Sequence, residues 1–344
     1  MQQDRRNRYV RQTMFPGLGE EGQQKLEKGS IVVVGCGALG CNIANLLVRA
    51  GVGKVRIIDR DFVEYHNLQR QVLFNENDVK SRLPKAVAAR KTLQAVNHFV
   101  DIEAIVADVN PYNAETYCSG MNIILDGLDN IETRFLLNDV SLKLKIPYIY
   151  GGAVASTGMT MTLVPGKTPC FRCVFPGLPP PRTLPTCETA GILGSTPAII
   201  GALQATEAIK LLTGAEEVNH DLITLDVWEL RFDRLKVKKR DDCPACAGKY
   251  EYLEKKPGIV TASLCGQSRA IQVTTPGIEG FDLHQLAMRL QVRNLFQNEY
   301  LVRFNVQEYE VTVFHDGRAI INNTLDEAEA LAIYQNYVLN TLQL

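Results

Sequence analysis

The residues best equipped for chemistry in this chain are four cysteines arranged as two C-x-x-C knuckles, Cys170-Phe-Arg-Cys173 and Cys243-Pro-Ala-Cys246. Each spacing lets two thiolates reach one ion, and two such pairs complete a tetrahedral zinc site with Zn–S distances of about 2.3 Å. With all four positions filled by protein the ion would be structural and do no chemistry. It would pin the end of a large domain onto its middle, closing a long loop. Two other readings are a redox pair, which the Pro-Ala interior of the second knuckle resembles, and chance pairs of small apolar side chains. The chain has nine cysteines, the others being Cys36, Cys41, Cys118, Cys187 and Cys265. An odd number with no export signal speaks against a disulfide framework.

A second constellation suits an anion. Gly35-Cys36-Gly37-Ala38-Leu39-Gly40 follows an apolar run and opens a helical stretch. Gly35, Gly37 and Gly40 permit a tight turn and let backbone N–H groups approach phosphate, while the helix N-terminus favours negative charge. Asp59 ends the next strand, where it would accept hydrogen bonds from an adenosine ribose. That fingerprint fits NAD, FAD, S-adenosylmethionine and ATP equally. The residues that follow separate these ligands: Asn67-Leu68-Gln69-Arg70-Gln71, Lys85 behind Pro84, and Arg8 and Arg11 near the start. A dinucleotide's pyrophosphate is held mostly by backbone amides, whereas a triphosphate with magnesium brings more charge to neutralise. A solvated surface position is the ordinary reading of Arg8 or Arg70 taken singly.

Leu125-Asp126-Gly127-Leu128-Asp129-Asn130 ends a further strand, at the edge where parallel sheets bind ligands. Two acids there can hold magnesium, and Asp129 or Asn130 can instead cap the next helix. Cys187 follows a stretch, 175–185, with five prolines in eleven residues. Such a segment is a loop able to cross over a ligand site. The cysteine is then either an exposed nucleophile or a small buried residue before a helix.

Positioning these groups requires a scaffold, and the first half supplies one. Apolar runs of strand length at 31–34, 55–59, 102–106 and 122–126 alternate with helical stretches at 39–50, 85–97 and 131–144. The pattern predicts an α/β fold with a doubly wound, mostly parallel sheet covered on both faces. Residues 159–164 and 222–237 read as strands ahead of the two knuckles. Thr196 and Pro197 are expected to cap and start an apolar helix that Gly214 ends. Residues 1–250 then form the large domain, and 258–344 a small C-terminal α+β appendage. Strands are expected there at 270–275, 300–306 and 309–315, a turn at Asp316-Gly317, and amphipathic helices at 282–292 and 325–339.

Composition narrows the class of partner. With 37 basic and 38 acidic side chains the net charge is −1, which argues against duplex nucleic acid or an anionic membrane as the main partner. The polar, basic start leads to the expectation of neither signal peptide nor anchor, and so of a cytoplasmic protein. Uncharged stretches at 146–166 and 189–206 reach membrane-span length, but Pro147, Pro197 and several glycines favour buried strands and a buried helix. The run Lys236-Val237-Lys238-Lys239-Arg240 reads as a solvated strand end or a contact for an acidic partner. The five histidines show no ligand spacing.

In order along the chain stand Arg-Tyr-x-Arg-Gln, G-x-G-x-x-G, the strand-ending Asp59, Asn-Leu-Gln-Arg-Gln, Pro-Lys, Asp129-Asn130, the two knuckles and Thr-Cys-Glu-Thr-Ala-Gly. Over about residues 5 to 250 this resembles the ThiF/MoeB/HesA family of adenylyltransferases, relatives of the ubiquitin-activating enzymes. The resemblance implies a Rossmann-like, ubiquitin-activating-enzyme-type fold in a homodimer. It also implies ATP-dependent adenylylation of the C-terminal glycine of a ubiquitin-like sulfur-carrier protein ending in Gly-Gly. By motif, the glycine turn with Ala38, together with Asp59, Asn67, Gln69, Arg70, Lys85, Asp129 and Asn130, would contact ATP or its magnesium, the ion resting on Asp129. Arg11 would reach the nucleotide of the partner subunit, and Cys187 would attack the acyl-adenylate or join a persulfide relay. Leu128 replaces the family's usual polar residue. Thiamine and molybdopterin carriers share the same terminal dipeptide, so the pathway stays open.

The implied reaction matches the residues. A carboxylate must attack the α-phosphate of a polyanion, so Arg11, Arg70, Lys85 and magnesium would screen the repulsion and stabilise charge on the departing pyrophosphate. The nucleophile is already ionised near neutral pH, so no catalytic histidine is required. Two alternatives use the same fold: a zinc-stabilised NAD-dependent oxidoreductase, which has no use for the three cations together, and a scaffold subunit without turnover.

Overall fold

The apolar runs of the first half become strands buried on both faces. In the computed structural model, which describes residues 2–180, 187–256, 258–264, 269–275 and 281–342, the chain divides into two units, Met1–Lys255 and Lys256–Leu344. The first carries β1 (Ser30–Val34), β2 (Lys54–Ile58), β3 (Asp101–Ile105), β4 (Ile123–Asp126), β5 (Tyr148–Val154), β6 (Thr157–Leu163), β7 (Leu222–Asp226) and β8 (Arg231–Leu235). They form one sheet in the order β3-β2-β1-β4-β5-β6-β7-β8, parallel from β3 to β5 and antiparallel beyond. Ile31 and Val33 of β1 enter one apolar core while Val32 and Val34 enter the other, so a continuous run rather than an alternation is required.

The chain leaves β1 toward β2 and returns on the other side as β4, so the connections diverge between them. A crevice opens at such a switch point, beyond the carboxyl ends of the strands. The helices Ala38–Ala50 and Ser195–Thr213 cover one face, and Ile131–Leu144 covers the other with Phe135, Leu136 and Val140. Both uncharged stretches are accounted for by β5, β6 and the helix Ser195–Thr213. Among the described residues no helix is long and apolar enough to cross a membrane.

Several local expectations need correcting. The helices Gln2–Thr13 and Gly19–Lys28 stand outside the expected elements because they are largely polar, the second burying only Gly22, Gln23 and Leu26. Tyr9 is buried and its hydroxyl accepts from Asn97 Nδ2 at 2.8 Å. Asn122 precedes β4, its side chain accepting from Ser30 N at 2.8 Å. The cap of Ser195–Thr213 is Gly194, not Thr196, whose buried hydroxyl donates to the Ala155 carbonyl at 3.1 Å. Gly214 does end that helix, with φ of 77°. Residues 222–237 are two strands, because Asp226 Oδ1 accepts from Trp228 N and Glu229 N and turns the chain between β7 and β8.

The second unit is a six-stranded antiparallel sheet. Its strands are β9 (Val260–Leu264), β10 (Ala270–Thr274), β11 (Arg293–Gln297), β12 (Leu301–Val306), β13 (Tyr309–Phe314) and β14 (Ala319–Asn322), in the order β11-β12-β13-β14-β10-β9. The three strands expected from alternation appear as β10, β12 and β13. Sequence alone missed β11, whose residues are all exposed and so carry no inward pattern, and the short β9 and β14. The expected helices are shorter at their starts, Leu283–Arg289 and Glu327–Tyr334, because Asp282 and Asp326 act as N-caps. A π-turn, Gln335–Leu339, continues the second, and Tyr334 beneath it donates its hydroxyl to the Gly317 carbonyl at 2.6 Å.

One buried acid ties the end of the first unit to the helix Ile131–Leu144. Asp139, on Ile131–Leu144, accepts from Tyr252 N at 2.9 Å and Leu253 N at 3.4 Å, and burial pushes its pKa up to about 6. In the unfolded chain the same group titrates near ~3.9, so between those values the folded protein binds more protons. Its contribution is therefore fully present below the unfolded value and lost as pH rises through the folded one. Relative to Asp139→Asn, the wild-type protein should gain about 1 kcal/mol on going from pH 7 to pH 5 in urea denaturation. Parallel pH curves for the two proteins would refute this.

Candidate functional site

The carboxyl edges of β1, β2 and β4 converge on the glycine turn. Gly35 has φ of 88°, a left-handed conformation that favours glycine. A first side-chain carbon on Gly40 or Gly127 would overlap the Gly35 carbonyl oxygen, so these glycines serve the close packing of turn, helix and β4 as well as access to a ligand. Gly37 is the N-cap of Ala38–Ala50 and offers no side chain, leaving the first-turn N–H groups without a capping oxygen.

Asp59, the first residue after β2, is buried with both carboxylate oxygens engaged. Oδ2 accepts from Cys36 N at 2.6 Å and Oδ1 from Asp61 N at 2.7 Å. It therefore braces the glycine turn in addition to facing the site. Burial raises its pKa and the neighbouring Lys85 charge opposes that rise.

Lys85 begins the helix Lys85–Val96 and is itself buried, its Nζ lying 2.8 Å from Asp61 Oδ2. Burial would lower the pKa of such a lysine, but Asp61, Asp59 and Asp129 outweigh it and hold the ammonium well above its ordinary value. Arg60 sits in the same field, 3.1 Å from Asp108, with Asp61 and Asp129 adding to its pull. Neither Asp61, Arg60 nor Asp108 was singled out from sequence. The available signal was Asp59-Arg60-Asp61 at a strand's carboxyl end, where alternating charges cannot all be solvated apart.

The two acids expected to share magnesium have different fates. Asp126 is fully buried: Oδ2 accepts from Tyr148 OH at 2.7 Å and Arg134 Nε at 3.0 Å, and Oδ1 from Leu128 N at 2.9 Å. Arg134 also donates to the Leu128 and Gly151 carbonyls, so this pair joins the ends of β4 and β5. Burial raises the Asp126 pKa, and Arg134 and Tyr148 work against it. Asp126 is thus a structural anchor, which corrects the sequence reading of paired metal acids. Asp129 is exposed at the same edge, and Asn130 is the N-cap of Ile131–Leu144, accepting from Thr133 N at 3.0 Å.

The Asn67–Gln71 segment folds as a tight turn beside this edge. Buried Asn67 accepts from Glu64 N through Oδ1, and its carbonyl takes Arg70 N and Gln71 N. Arg70 donates to the His66 carbonyl at 2.7 Å, and Gln69 is exposed near Gly194. Arg11 is not brought in: it lies exposed on the N-terminal helix with Met14 Sδ 3.9 Å away. Arg8 reaches the Val96 carbonyl at 2.8 Å and stacks on Phe99. Cys187 opens the one-turn helix Cys187–Ala190, but its side chain, the preceding residues 181–186 and Cys265 lie outside the described set.

A separate cluster unites the knuckles. The Sγ atoms of Cys170, Cys173, Cys243 and Cys246 all lie within 4.8 Å of one another. Cys170 is 3.8 Å from Cys173 and 3.6 Å from Cys243, and Cys173 is 3.7 Å from Cys246. Burial works against the Cys173 thiolate, but the N–H groups of Arg240 and Cys170 prevail and lower its pKa.

Removing one member of a buried ion pair strands the other. Asp126→Asn should cost roughly 3–5 kcal/mol in chemical denaturation by leaving Arg134 without its anion. A loss under about 0.5 kcal/mol, the range of ordinary surface substitutions, would overturn the anchoring role.

Comparison with known proteins supplies the family. The chain is 40% identical over 336 residues to the sulfur carrier protein ThiS adenylyltransferase of Bacillus subtilis (strain 168), covering 96% of this chain and 99% of that one. It is 39% identical over 246 residues to the sulfur carrier protein adenylyltransferase of Thermus thermophilus, covering 70% of this chain and 90% of that one. The crystal structure of Escherichia coli MccB with MccA-N7isoASN superposes with a TM-score of 0.62 at 24% identity, over 70% of this chain and 74% of that one, a likeness of fold. The ThiF family model matches residues 9–245, and the chain belongs to the ThiF family.

Proposed function

We propose that this chain is an ATP-dependent adenylyltransferase that activates the C-terminal glycine carboxylate of a ubiquitin-like sulfur-carrier protein, releasing pyrophosphate. The observation that carries the reading is a buried lysine, Lys85, kept charged by Asp59, Asp61 and Asp129 beside an uncapped helix N-terminus at the sheet's switch point. That combination suits a polyanion accompanied by a cation. The near full-length likeness to an enzyme named for ThiS favours a thiamine-type carrier over a molybdopterin-type one.

In this reading the N–H groups at Gly37 and Ala38 receive phosphate, and Asp59 faces the ribose. Asn67, Gln69 and Asn130 shape the walls, while Arg70 and Lys85 neutralise the phosphates. Magnesium would rest on Asp129, whose exposed carboxylate is free of the pairing that commits Asp126; magnesium is usually held by one or two carboxylates plus phosphates. The ion would spread charge on the departing pyrophosphate. The carrier's carboxylate then attacks the α-phosphorus in line, forming an acyl-adenylate as the bond to pyrophosphate breaks. Arg11, exposed on the N-terminal helix, serves the nucleotide of a second copy in a cytoplasmic homodimer, and the Cys187 thiolate attacks the acyl-adenylate, forming a thioester as AMP leaves, or takes a sulfane sulfur from a donor persulfide in a relay, the donor's thiol leaving. Residues 1–250 carry this activity, with 258–344 as an accessory domain.

Zinc fits the cysteine cluster. Four sulfurs about 2.3 Å from one tetrahedral ion stand about 3.8 Å apart, close to the 3.6 to 3.8 Å separations found here. The ion would join the segment after β6 to the segment after β8.

The test is carrier-dependent exchange of labelled pyrophosphate into ATP. Lys85→Ala and Arg70→Ala should each lower exchange by about 10²-fold or more while circular dichroism stays native. Wild-type exchange in either variant removes that residue from the site, and no exchange with any Gly-Gly-terminated carrier refutes the activity. Elemental analysis should give stoichiometric zinc, lost in Cys243→Ala together with several kcal/mol of stability. A metal-free protein of undiminished stability would refute the zinc assignment.

A further inference from the structure

Three large apolar side chains stand in solvent within a few residues of one another at the turn between β7 and β8. Trp228, the only tryptophan of the chain, is 78% exposed, Leu230 is 89% exposed, and Phe232 is exposed on β8 just beyond them. Single exposed apolar residues are ordinary, but a cluster on one turn marks a contact region. Leu230 also has φ of 55°, a left-handed backbone that strains any residue carrying a Cβ and that glycine adopts freely. A strained leucine is thus held in water, where neither its packing nor its backbone gains, and strain of that kind is retained where a site uses it. The turn itself is fixed: Asp226 Oδ1 takes the Trp228 and Glu229 N–H groups, and Val227 N donates to the Ser156 carbonyl at 2.9 Å.

The place of this turn in the sheet says what would rest on it. β4 and β5 are parallel, and β6 and β7 each reverse direction, so β7 runs the same way as β1 and β4. Its carboxyl end, Asp226, and the turn beyond therefore lie at the same edge of the sheet as the crevice. Three strand spacings separate β7 from β4, about 14 Å. Tyr150 of β5 is level with Asp126, and the strand continues to Val154, level with Asp226 through Thr157, which adds about 13 Å along the strands. The reach from the turn to the end of β4 is then about 20 Å, the span of about six extended residues. Between the two lies the β5–β6 turn, where exposed Leu193 donates its N–H to the Ala155 carbonyl at 3.0 Å. A small reactant has no use for a contact so far out. A protein that delivers only its terminal carboxylate to the crevice needs a seat for its body at that distance.

We propose that Trp228, Leu230 and Phe232 at the β7–β8 turn seat the folded body of the carrier protein, whose extended C-terminal tail crosses from there to the crevice past the β5–β6 turn. The proposal rests on the carrier-activating reading above and adds the surface that selects the carrier. Its occupant is a small protein with an exposed apolar patch near the root of its tail. A fixed aromatic anchor ringed by polar groups, here Glu229 and Arg231, is the usual form of such a contact.

The experiment is steady-state pyrophosphate exchange by the full chain, with ATP and the Gly-Gly-terminated carrier varied in turn. Trp228→Ala and Leu230→Gly should each raise the KM for carrier about tenfold or more. The rate at saturating carrier and the KM for ATP should stay at their wild-type values, because the contact is made equally before and during the reaction. Leu230→Gly relieves the left-handed strain, so its thermal midpoint should hold or rise while carrier binding weakens, which separates docking from folding. An unchanged carrier KM in the double variant would overturn the proposal, as would a rise of both KM values together. A change in the sedimentation of the chain alone, with carrier KM unchanged, would give the turn to a second copy instead. Absence of exchange by the wild-type protein with every carrier would overturn the activity itself, and this proposal with it.

Discussion

Concentrating charge at the mouth of a parallel sheet without unfolding it is the constraint around which this unit is built. Lys85 and Arg60 face Asp59, Asp61, Asp108 and Asp129 within one small region, and most of these groups are partly or wholly buried. Isolated buried charges cost several kcal/mol each, so they persist only when paired and hydrogen-bonded. The pairing keeps Lys85 ionised, and backbone N–H groups brace Asp59. The same region is thus assembled before any ligand arrives, and an entering polyanion finds its cation already desolvated and oriented.

That preorganisation depends on the sheet edge being rigid. Glycines let the Gly35 carbonyl pass against Gly40 and Gly127, which sets β1 and β4 at the distance their shared crevice requires. The Asp126–Arg134–Tyr148 group then fixes β4 to β5, and Gln204 Nε2 caps the Asp126 and Ile149 carbonyls from the helix above. Beyond β6 and β8 the four cysteines come together from segments separated by about seventy residues, which a bound zinc ion would tie. An ion pair thus fastens the sheet near the crevice, and the proposed zinc would add a second, metal–thiolate fastening between the segments after β6 and β8.

Much of this was legible in the residues. Continuous apolar runs can be buried only on both faces, so β1 to β4 and their order of appearance were readable, and the glycine turn and Asp59 followed from spacing. Two C-x-x-C pairs announced that four sulfurs would meet. What stayed hidden depends on tertiary partners: Arg134 is eight residues from Asp126 and points at it only once the helix has packed, and Asp61 looks like any exposed acid until Lys85 is folded onto it. Asn130 was read as a nucleotide contact or a helix cap, and the cap is what its side chain makes in the fold. Strand β11 escaped because it faces solvent along its whole length and leaves no period in the sequence.

Arg11 marks where the proposed activity would draw on a second copy of the chain. Its helix is anchored to the body through Tyr9 and Asn97, and among the described residues its guanidinium lies against Met14 Sδ rather than a group of the glycine turn. In the proposed activity an exposed cation on a docked helix would be of use through a second copy of the chain. Within the proposed activity, a second copy would complete the charge balance: the α-phosphate's neighbourhood would gain a cation from it, and folding of one chain would not have to desolvate all the positive charge that the transition state requires.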